Sequence, residues 1–301
     1  MRKLSIILPK TAYTPREAIA GVLEVTCDKK FDSKETSISF VGTIKAEGYE
    51  LKRRPGGGFI QETTKLEKNL VEGTIVLSEE KRYEEGSHTF NFSFQLPASK
   101  SNFTENLNIT SGLLPSREGI SEAIKYLIHA NIKVSRFKSE RAQIPITIYI
   151  PLEEWPKVVK SEKSILDKDE NILDLETDTD LYCIGHPYEL RYRINTTEKI
   201  RKLKFGFFHV EYARLGGGGR KEIRLYDMEI THNGGLHEWQ TVTLQPDREF
   251  PQSFNTDVLE STLLLAVRVE YSKRKAAETE LHLLAQYCPE KSNPHLSENH
   301  L

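Results

Sequence analysis

Three short clusters of basic residues have the chemistry to bind a charged ligand, and each lies at a predicted turn between strands: Lys52-Arg53-Arg54, Arg220-Lys221 and Lys273-Arg274-Lys275. Guanidinium and ammonium groups donate hydrogen bonds to phosphate and carboxylate oxygens, and loops at the end of a sandwich often carry binding residues. We predict contacts to acidic or phosphorylated protein segments, with a peripheral membrane contact as a further role. The alternative is that these turns are simply charged. The predicted partner-binding residues are Lys52, Arg53, Arg54, Arg220, Lys221, Lys273 and Arg274.

The first cluster precedes Gly56, Gly57 and Gly58 inside a hairpin-like segment, residues 49–68. A nucleotide-phosphate loop needs such glycines to lead into a helix, and no helix signal or Gly-Lys-Ser/Thr follows. The pattern therefore predicts a flexible hairpin tip. Ordering such a tip on binding has an entropic cost of about 1 kcal/mol or more per residue, so affinity there must come from charge pairing. We therefore expect its cations to support salt-sensitive binding and to add almost nothing to stability.

Catalytic and metal chemistry are not indicated. There is no Gly-x-Ser-x-Gly elbow, and none of the three cysteines has a catalytic context. His232 and His237 flank an Asn-Gly-Gly turn and could ligate a metal or serve a hydrolytic module, but two exposed loop histidines are the simpler interpretation. The acidic stretch from Asp167 to Asp180 lacks the glycine of a calcium loop. We predict no catalytic residue, no metal and no cofactor.

Composition indicates a soluble protein of about two domains. The chain has 301 residues, 38% hydrophobic and 29% charged, with a formal net charge of -2. Without a basic domain or interleaved aromatic residues, nucleic-acid binding is not expected. The N-terminal apolar run ends at Pro9, too early for a signal peptide or a membrane span, so we expect a cytoplasmic protein. Three widely spaced cysteines predict neither a disulfide framework nor a zinc site.

Strict alternation of apolar and polar residues is the main structural signal. From Ser87 to Leu96 the side chains of Phe90, Phe92 and Phe94 fall on one face and polar side chains on the other, as in a strand that covers a core. Similar short strands recur along the chain, separated by turn residues, and no convincing amphipathic helix appears. The fold class predicted is all-β, with two tandem antiparallel β-sandwiches.

Core residues follow from the same alternation. The first core is expected to contain Phe90, Phe92, Phe94, Ile124, Tyr126 and Ile128, and the second Leu190, Tyr192, Leu265, Val267 and Val269. The predicted domains are residues 1–152 and 169–288, with a linker at 153–168 and a disordered tail at 289–301.

Several segments resemble the arrestin family, in family order. Gly86-x-His88-x-Phe90-x-Phe92-x-Phe94-x-Leu96-Pro97 is similar to a strand of the arrestin N-terminal domain, with Asn91 replacing a proline. Tyr13-Thr14-Pro15-x-Glu17-x-Ile19-x-Gly21 resembles the opening of alpha-arrestins, although Arg16 stands in place of a glycine. Leu114-Pro115-Ser116-x-x-Gly119 before the Ile124 strand, and Tyr182-x-x-Gly185 before the Tyr188 strand, extend the resemblance into both halves. The resemblance implies arrestin-type sandwiches over most of residues 1–288.

The function implied is a non-catalytic adaptor or scaffold that binds protein partners, in membrane-protein trafficking or signalling. The chain has no Pro-Pro-x-Tyr motif, so the ubiquitin-ligase recruitment of alpha-arrestins does not carry over, and no motif assigns phosphate-sensing charges. The alternative is a structural coat subunit that resembles the arrestin-fold subunit of retromer.

Overall fold

The computed structural model describes residues 2–97, 103–104, 107–109, 113–119, 122–152, 160–214, 219–232, 235–256, 258–271 and 276–289. All regular structure within these ranges is β-strand. The chain divides into two compact units. The first comprises Met1–Ile150 with Glu211–Arg220 and Thr256–Leu259, and the second comprises Pro151–Val210, Lys221–Asn255 and Glu260–Leu301.

The first unit is a sandwich of a small and a large sheet, with a two-stranded sheet of Phe31–Ser33 and Lys81–Tyr83 beside them. The small sheet has the order β1-β3-β8, and the large one β2-β13-β12-β5-β6-β10-β9, with β11 added beside β12. The strands are β1 Arg2–Ile7, β2 Ala12–Tyr13, β3 Ala18–Cys27, β4 Phe31–Ser33, β5 Glu35–Arg53, β6 Phe59–Ser78, β7 Lys81–Tyr83, β8 Gly86–Gln95, β9 Phe103–Thr104, β10 Leu107–Ile109, β11 Arg117–Glu118, β12 Glu122–Ser135 and β13 Lys138–Ile148.

Aromatic side chains join the two sheets of this sandwich. The Phe94 ring of β8 lies 6.0 Å from Phe40 of β5, which stacks at 5.8 Å on Tyr126 of β12. Gly42 leaves room for this stack, since a Cβ there would lie 2.4 Å from the Tyr126 ring. The alternating residues predicted for the first core are buried, with one exception.

That exception is Phe90, which is half-buried. The Lys81 ammonium lies 5.1 Å from its ring centroid, and Tyr83 packs against it at 6.2 Å. Phe90 was predicted to be fully buried, and that prediction was wrong. A lysine and a tyrosine of β7 contact its ring near the turn end of β8, and water reaches the rest of the ring.

The second unit has a four-stranded sheet, β14-β15-β17-β20, and most of a six-stranded one, β16-β23-β22-β18-β19 with β21 beside β22; residues 211–213, 219–220 and 259 of this sheet belong to the first unit. The predicted second core is confirmed, because Leu190, Tyr192, Leu265, Val267 and Val269 are all buried in one cluster. The strands are β14 Ser161–Asp167, β15 Glu170–Thr177, β16 Leu181–Cys183, β17 Tyr188–Ile194, β18 Lys202–Ala213, β19 Gly219–Ile230, β20 Gln240–Leu244, β21 Phe254–Asn255, β22 Leu259–Glu270 and β23 Ala276–Gln286.

Two segments differ from the sequence expectation. Within the interval 153–168, assigned as a linker, residues 161–167 form β14, while residues 153–159 lie outside the described ranges. Alternation in β14 is hard to read, since Ile165 is its one fully buried residue. Residues 98–121 show no regular alternation in sequence, and the described parts of this segment contain the short strands β9, β10 and β11. The tail 289–301 is described only at its first residue.

The absence of a disulfide was predicted wrongly. Cys183 and Cys288 are bonded, with their Cα atoms 5.4 Å apart, although they are 105 positions apart in sequence. The parallel pairing of β16 with β23 places Cys183 opposite Gln286, two residues before Cys288. No local spacing predicts such a pair, because strands distant in sequence create it. Cys27 is a buried free thiol.

Candidate partner-binding site

The hairpin of β5 and β6 is longer than the sheet that supports it. β12 pairs with β5 from Glu35 to Ala46, whereas β6 follows β5 to Arg53. Over Glu47–Arg53 and Phe59–Lys65, no other described strand pairs with either one. We call these two segments the ribbon. At about 3.3 Å per residue it extends roughly 20 Å beyond the third strand.

The ribbon ends in a tight glycine turn. The Arg54 amide donates to the Gly58 carbonyl at 2.9 Å, and the Gly57 amide to the Arg54 carbonyl at 3.1 Å. Gly56, Gly57 and Gly58 all have positive φ, between 84° and 107°, a region that side chains with a Cβ rarely adopt. The glycine run therefore closes a hydrogen-bonded turn, and the flexibility of this tip stays a prediction.

Charges along the ribbon and its base are paired across the strands. Lys45 contacts Glu67 at 2.8 Å, Lys65 contacts Glu47 at 2.7 Å, and Lys52 pairs with Glu62. We call residues 52–60 the tip; it contains three cations and no carboxylate. Arg53 and Arg54 are exposed and form no ion pair with the described residues. Positive charge is thus concentrated at the end of the ribbon.

Large apolar side chains accompany these cations. Phe59 is 70% exposed and Ile60 is 36% exposed. Residues directly opposite each other in an antiparallel pair share a face, and faces alternate along a strand. Because Arg53 pairs with Phe59 and Lys52 with Ile60, each face of the tip carries one cation and one apolar side chain. Sequence reasoning selected the cations and missed Phe59, although its place beside the glycines was visible.

The other predicted partner-binding residues do not join this tip. Arg220 and Lys221 lie at the start of β19, within a strand and not in the turn expected for them, and both make further interactions inside the protein. Lys273 and Arg274 lie outside the described residues.

A second charged cluster lies in the four-stranded sheet of the second unit, around the half-buried Asp174. Its Oδ1 accepts from Ser164 Oγ at 2.6 Å and Asn171 Nδ2 at 2.8 Å. Its Oδ2 accepts from Arg193 Nε at 2.8 Å and Asn195 Nδ2 at 2.9 Å. Burial alone would raise the pKa of this carboxyl, but these four donors outweigh it and hold the pKa well below its ordinary value.

Trp239 completes this cluster. The guanidinium carbons of Arg191 and Arg193 lie 5.1 and 4.8 Å from its ring centroid, within cation–π range. Arg191 also donates to Glu176 at 2.7 Å. Both arginines are therefore engaged inside the protein, which suits a structural role.

The two histidines of the Asn-Gly-Gly turn have separate partners. His232 Nδ1 lies 3.4 Å from the Tyr192 hydroxyl, and His237 Nδ1 lies 3.0 Å from Asn195 Oδ1. In the described ranges no group of three or more histidine, cysteine or acidic side chains could hold a metal ion. The candidate site remains the ribbon tip.

No helix in the described part of the chain is long and apolar enough to cross a membrane.

Comparison with known families supplies one match. Residues 4–153 match the family model described as arrestin (or S-antigen), N-terminal domain. This range spans the first sandwich with its ribbon. None of the curated proteins compared with the chain matches it.

Proposed function

The chain belongs to the arrestin-like family, and from that premise we propose that it is a non-catalytic adaptor that binds protein partners in the cytoplasm. The match to an arrestin N-terminal domain over residues 4–153 is the observation that carries this proposal. A sandwich fold by itself fixes no activity. The proposal therefore also depends on the ribbon tip, which presents charge away from the body of its own unit.

The ribbon tip is the partner-binding site in this proposal. Its partner carries negative charge, because Arg53 and Arg54 are exposed and pair with no carboxylate of the described residues, whereas Lys52 pairs with Glu62. Exposed cations attract such a partner over about 10 Å at moderate salt, and added salt screens that attraction. The adaptor should accordingly release its partner as ionic strength rises.

Capture of partners from a native lysate by the purified full chain tests this function. The triple variant Lys52→Ala/Arg53→Ala/Arg54→Ala should retain a partner several-fold less well at low salt. The matched control is Lys29→Ala/Lys30→Ala/Lys34→Ala, which removes the same charge from exposed positions around β4 and should bind normally. If no captured protein distinguishes the two triple variants, the assignment of partner binding to the tip is wrong.

The same capture distinguishes the adaptor from a structural coat subunit. Weak partners that salt removes favour the adaptor. A stoichiometric complex that resists high salt and tolerates both triple variants would favour a coat subunit.

A cytoplasmic location also has a consequence for Cys183 and Cys288. Cytoplasmic thiols are kept reduced by glutathione and thioredoxin, so the pair should exist as two neighbouring thiols in the cell. Alkylation of thiols in rapidly quenched cells, followed by mass spectrometry, measures this state. A fully oxidised pair would contradict the proposed location.

A further inference from the structure

We propose that the ribbon tip docks on an anionic lipid bilayer, with Lys52, Arg53 and Arg54 at the lipid headgroups and Phe59 and Ile60 in the boundary between headgroups and acyl chains. The inference goes beyond the proposed function, because it assigns to the same tip a lipid surface in addition to a protein partner. Three observations carry it: the reach of the ribbon, the composition of the tip and the distribution of the tip residues over two faces.

Reach allows the tip to meet a flat surface. The ribbon continues roughly 20 Å past the last strand pair shared with β12, so its end stands clear of the sheet that supports it. The hydrogen-bonded glycine turn and the cross-strand ion pairs restrict the conformations open to that end. A preformed tip loses less conformational entropy on docking than a flexible one would.

The residue composition of the tip matches the interface between lipid and water. Phe59 exposes 70% of its surface beside three cations. Large apolar side chains next to lysine and arginine are typical of segments that bury one part in the acyl boundary while charged groups contact anionic headgroups. A free phosphate or an acidic peptide would use the cations and leave no reason for the exposed Phe59.

The two-sided arrangement favours a bilayer over a peptide. Arg53 and Phe59 lie on one face of the ribbon, and Lys52 and Ile60 lie on the other. A linear peptide that pairs along one face would contact only half of these side chains. A lipid surface that surrounds the end of the ribbon contacts all of them.

A second exposed aromatic residue provides an internal control. Phe137 is 92% exposed at the turn between β12 and β13, and the Arg136 guanidinium lies 5.6 Å from its ring. β12 runs antiparallel to β5, with Lys133 opposite Glu35, so this turn is at the opposite end of the large sheet from the ribbon tip. Arg136 and Lys138 flank Phe137, but β12 stays paired with both β5 and β13 to within two residues of its end, so this turn does not extend from the sheet as the ribbon does. Phe137 should not contribute to docking.

Sedimentation of the full chain with vesicles tests the proposal. The probes are vesicles of phosphatidylcholine containing about 30% phosphatidylserine, and vesicles of phosphatidylcholine alone, each at low salt and at about 0.5 M salt. We expect weak binding to the anionic vesicles at low salt, and little to the others. Replacing Lys52, Arg53 and Arg54 with Ala should lower the vesicle affinity on the order of 100-fold, since each cation near the surface contributes roughly fivefold.

The aromatic variants discriminate most sharply. Phe59→Ser should lower vesicle affinity on the order of tenfold through lost apolar burial, whereas Phe137→Ser and the Lys29/Lys30/Lys34 triple should leave it unchanged. All positions are exposed, so unchanged melting temperatures should accompany these results. Equal loss from Phe59→Ser and Phe137→Ser, or no loss from Phe59→Ser, overturns the proposal.

A multiply phosphorylated peptide labelled with a fluorophore is the competing probe. If it binds through Lys52, Arg53 and Arg54 without help from Phe59, and vesicles do not bind, the tip recognises a protein segment; the lipid inference then fails and the adaptor function stands. If vesicles bind through the tip but the full chain captures no protein from the lysate, the lipid inference stands and the adaptor function fails.

Discussion

The ribbon tip and the Asp174 cluster contain the same kinds of charged residue in opposite settings. In the cluster, Arg193 donates to Asp174 and lies over Trp239, and Arg191 donates to Glu176 over the same ring. At the tip, Arg53 and Arg54 face solvent. Arginines engaged by carboxylates and an aromatic ring stabilise the fold, whereas exposed ones are available to a ligand. Residue type alone therefore does not distinguish a structural arginine from a binding arginine.

The largest effect should come from a charge pair that is fully enclosed. Arg117 donates to Glu211 at 2.7 Å within the first unit, and their side chains are 5% and 1% exposed. Glu211→Ala removes the carboxylate that faces a buried guanidinium, so the free energy of unfolding should fall by about 3–5 kcal/mol. Urea denaturation measures this loss. The control is Glu118→Ala, whose exposed pair with Lys125 should hardly matter; equal effects of the two variants would contradict the prediction.

The next effect concerns the Asp174 cluster itself. Asp174→Ala leaves Ser164, Asn171, Asn195 and Arg193 without their common acceptor, and we expect a loss of about 2–3 kcal/mol in the free energy of unfolding. Thermal unfolding followed by circular dichroism would record it. Asp247→Ala, at an exposed loop position, should be neutral. A neutral result at Asp174 would mean that the cluster does not stabilise the second unit.

Lowering the pH should remove the contribution of Asp174 to the free energy of unfolding. The folded-state pKa of Asp174 lies well below its ordinary value, so its contribution is complete above the unfolded pKa of about 3.9 and is lost as the pH falls through the folded-state value. The stability difference between the natural chain and Asp174→Asn should stay constant from about pH 8 to pH 5 and narrow below about pH 4. Urea midpoints across this range measure it; a difference that narrows already near neutral pH would assign the effect to another group.

A smaller effect is expected at Trp239. Trp239→Ala removes the ring beneath Arg191 and Arg193, which should cost about 1 kcal/mol, while Trp239→Phe should retain part of that contribution. Denaturation midpoints of the two variants provide the comparison. Equal denaturation midpoints for Trp239→Ala and Trp239→Phe would contradict the prediction.

The smallest effect on stability belongs to the ribbon tip. The Lys52/Arg53/Arg54 triple alanine variant should unfold at the same temperature as the natural chain, because exposed charges contribute little to folding. Differential scanning calorimetry tests this against Asp174→Ala as the positive control. A clear drop in melting temperature would show that the tip cations are structural, and the comparison between the two regions would then lose its basis.

Much of the fold could be predicted from local pattern. Period-two alternation identified the principal strands, and it placed Phe92, Phe94, Tyr126, Tyr192 and Leu265 in the two cores, where all five are buried. Local pattern did not predict β14, and it predicted full burial of Phe90, which is half-buried. In both cases the outcome depends on how a neighbouring strand packs against the residue, which alternation within a single strand does not reveal.

The candidate site was predicted only in part. A run of three cations before three glycines marked the tip, but Phe59 was not recognised, because alternation cannot tell a strand that enters a core from one that leaves its sheet. The length of β5 beyond its pairing with β12 decides that Phe59 is exposed. Only the register of three strands contains this information.

Arg16 shows both what the local sequence indicates and what tertiary contacts decide. The sequence shows that arginine stands where the related pattern has glycine, and the structure gives it a φ of 70°, which glycine adopts more readily. Its amide donates to the Pro97 carbonyl at 3.1 Å, and its carbonyl accepts from Gln95 at 2.8 Å. Contacts with a strand about eighty positions away therefore hold a conformation that the local sequence would not select.

By itself the sequence determined the all-β class, the two cores and the family, because alternation and turn chemistry are properties of neighbouring residues. Tertiary structure alone decided the pairing of Cys183 with Cys288, the burial of Arg117 against Glu211 and the four donors around Asp174. Each of these depends on which strands lie side by side and in which register. The same charged side chain becomes a buried partner or an exposed binding group according to that register.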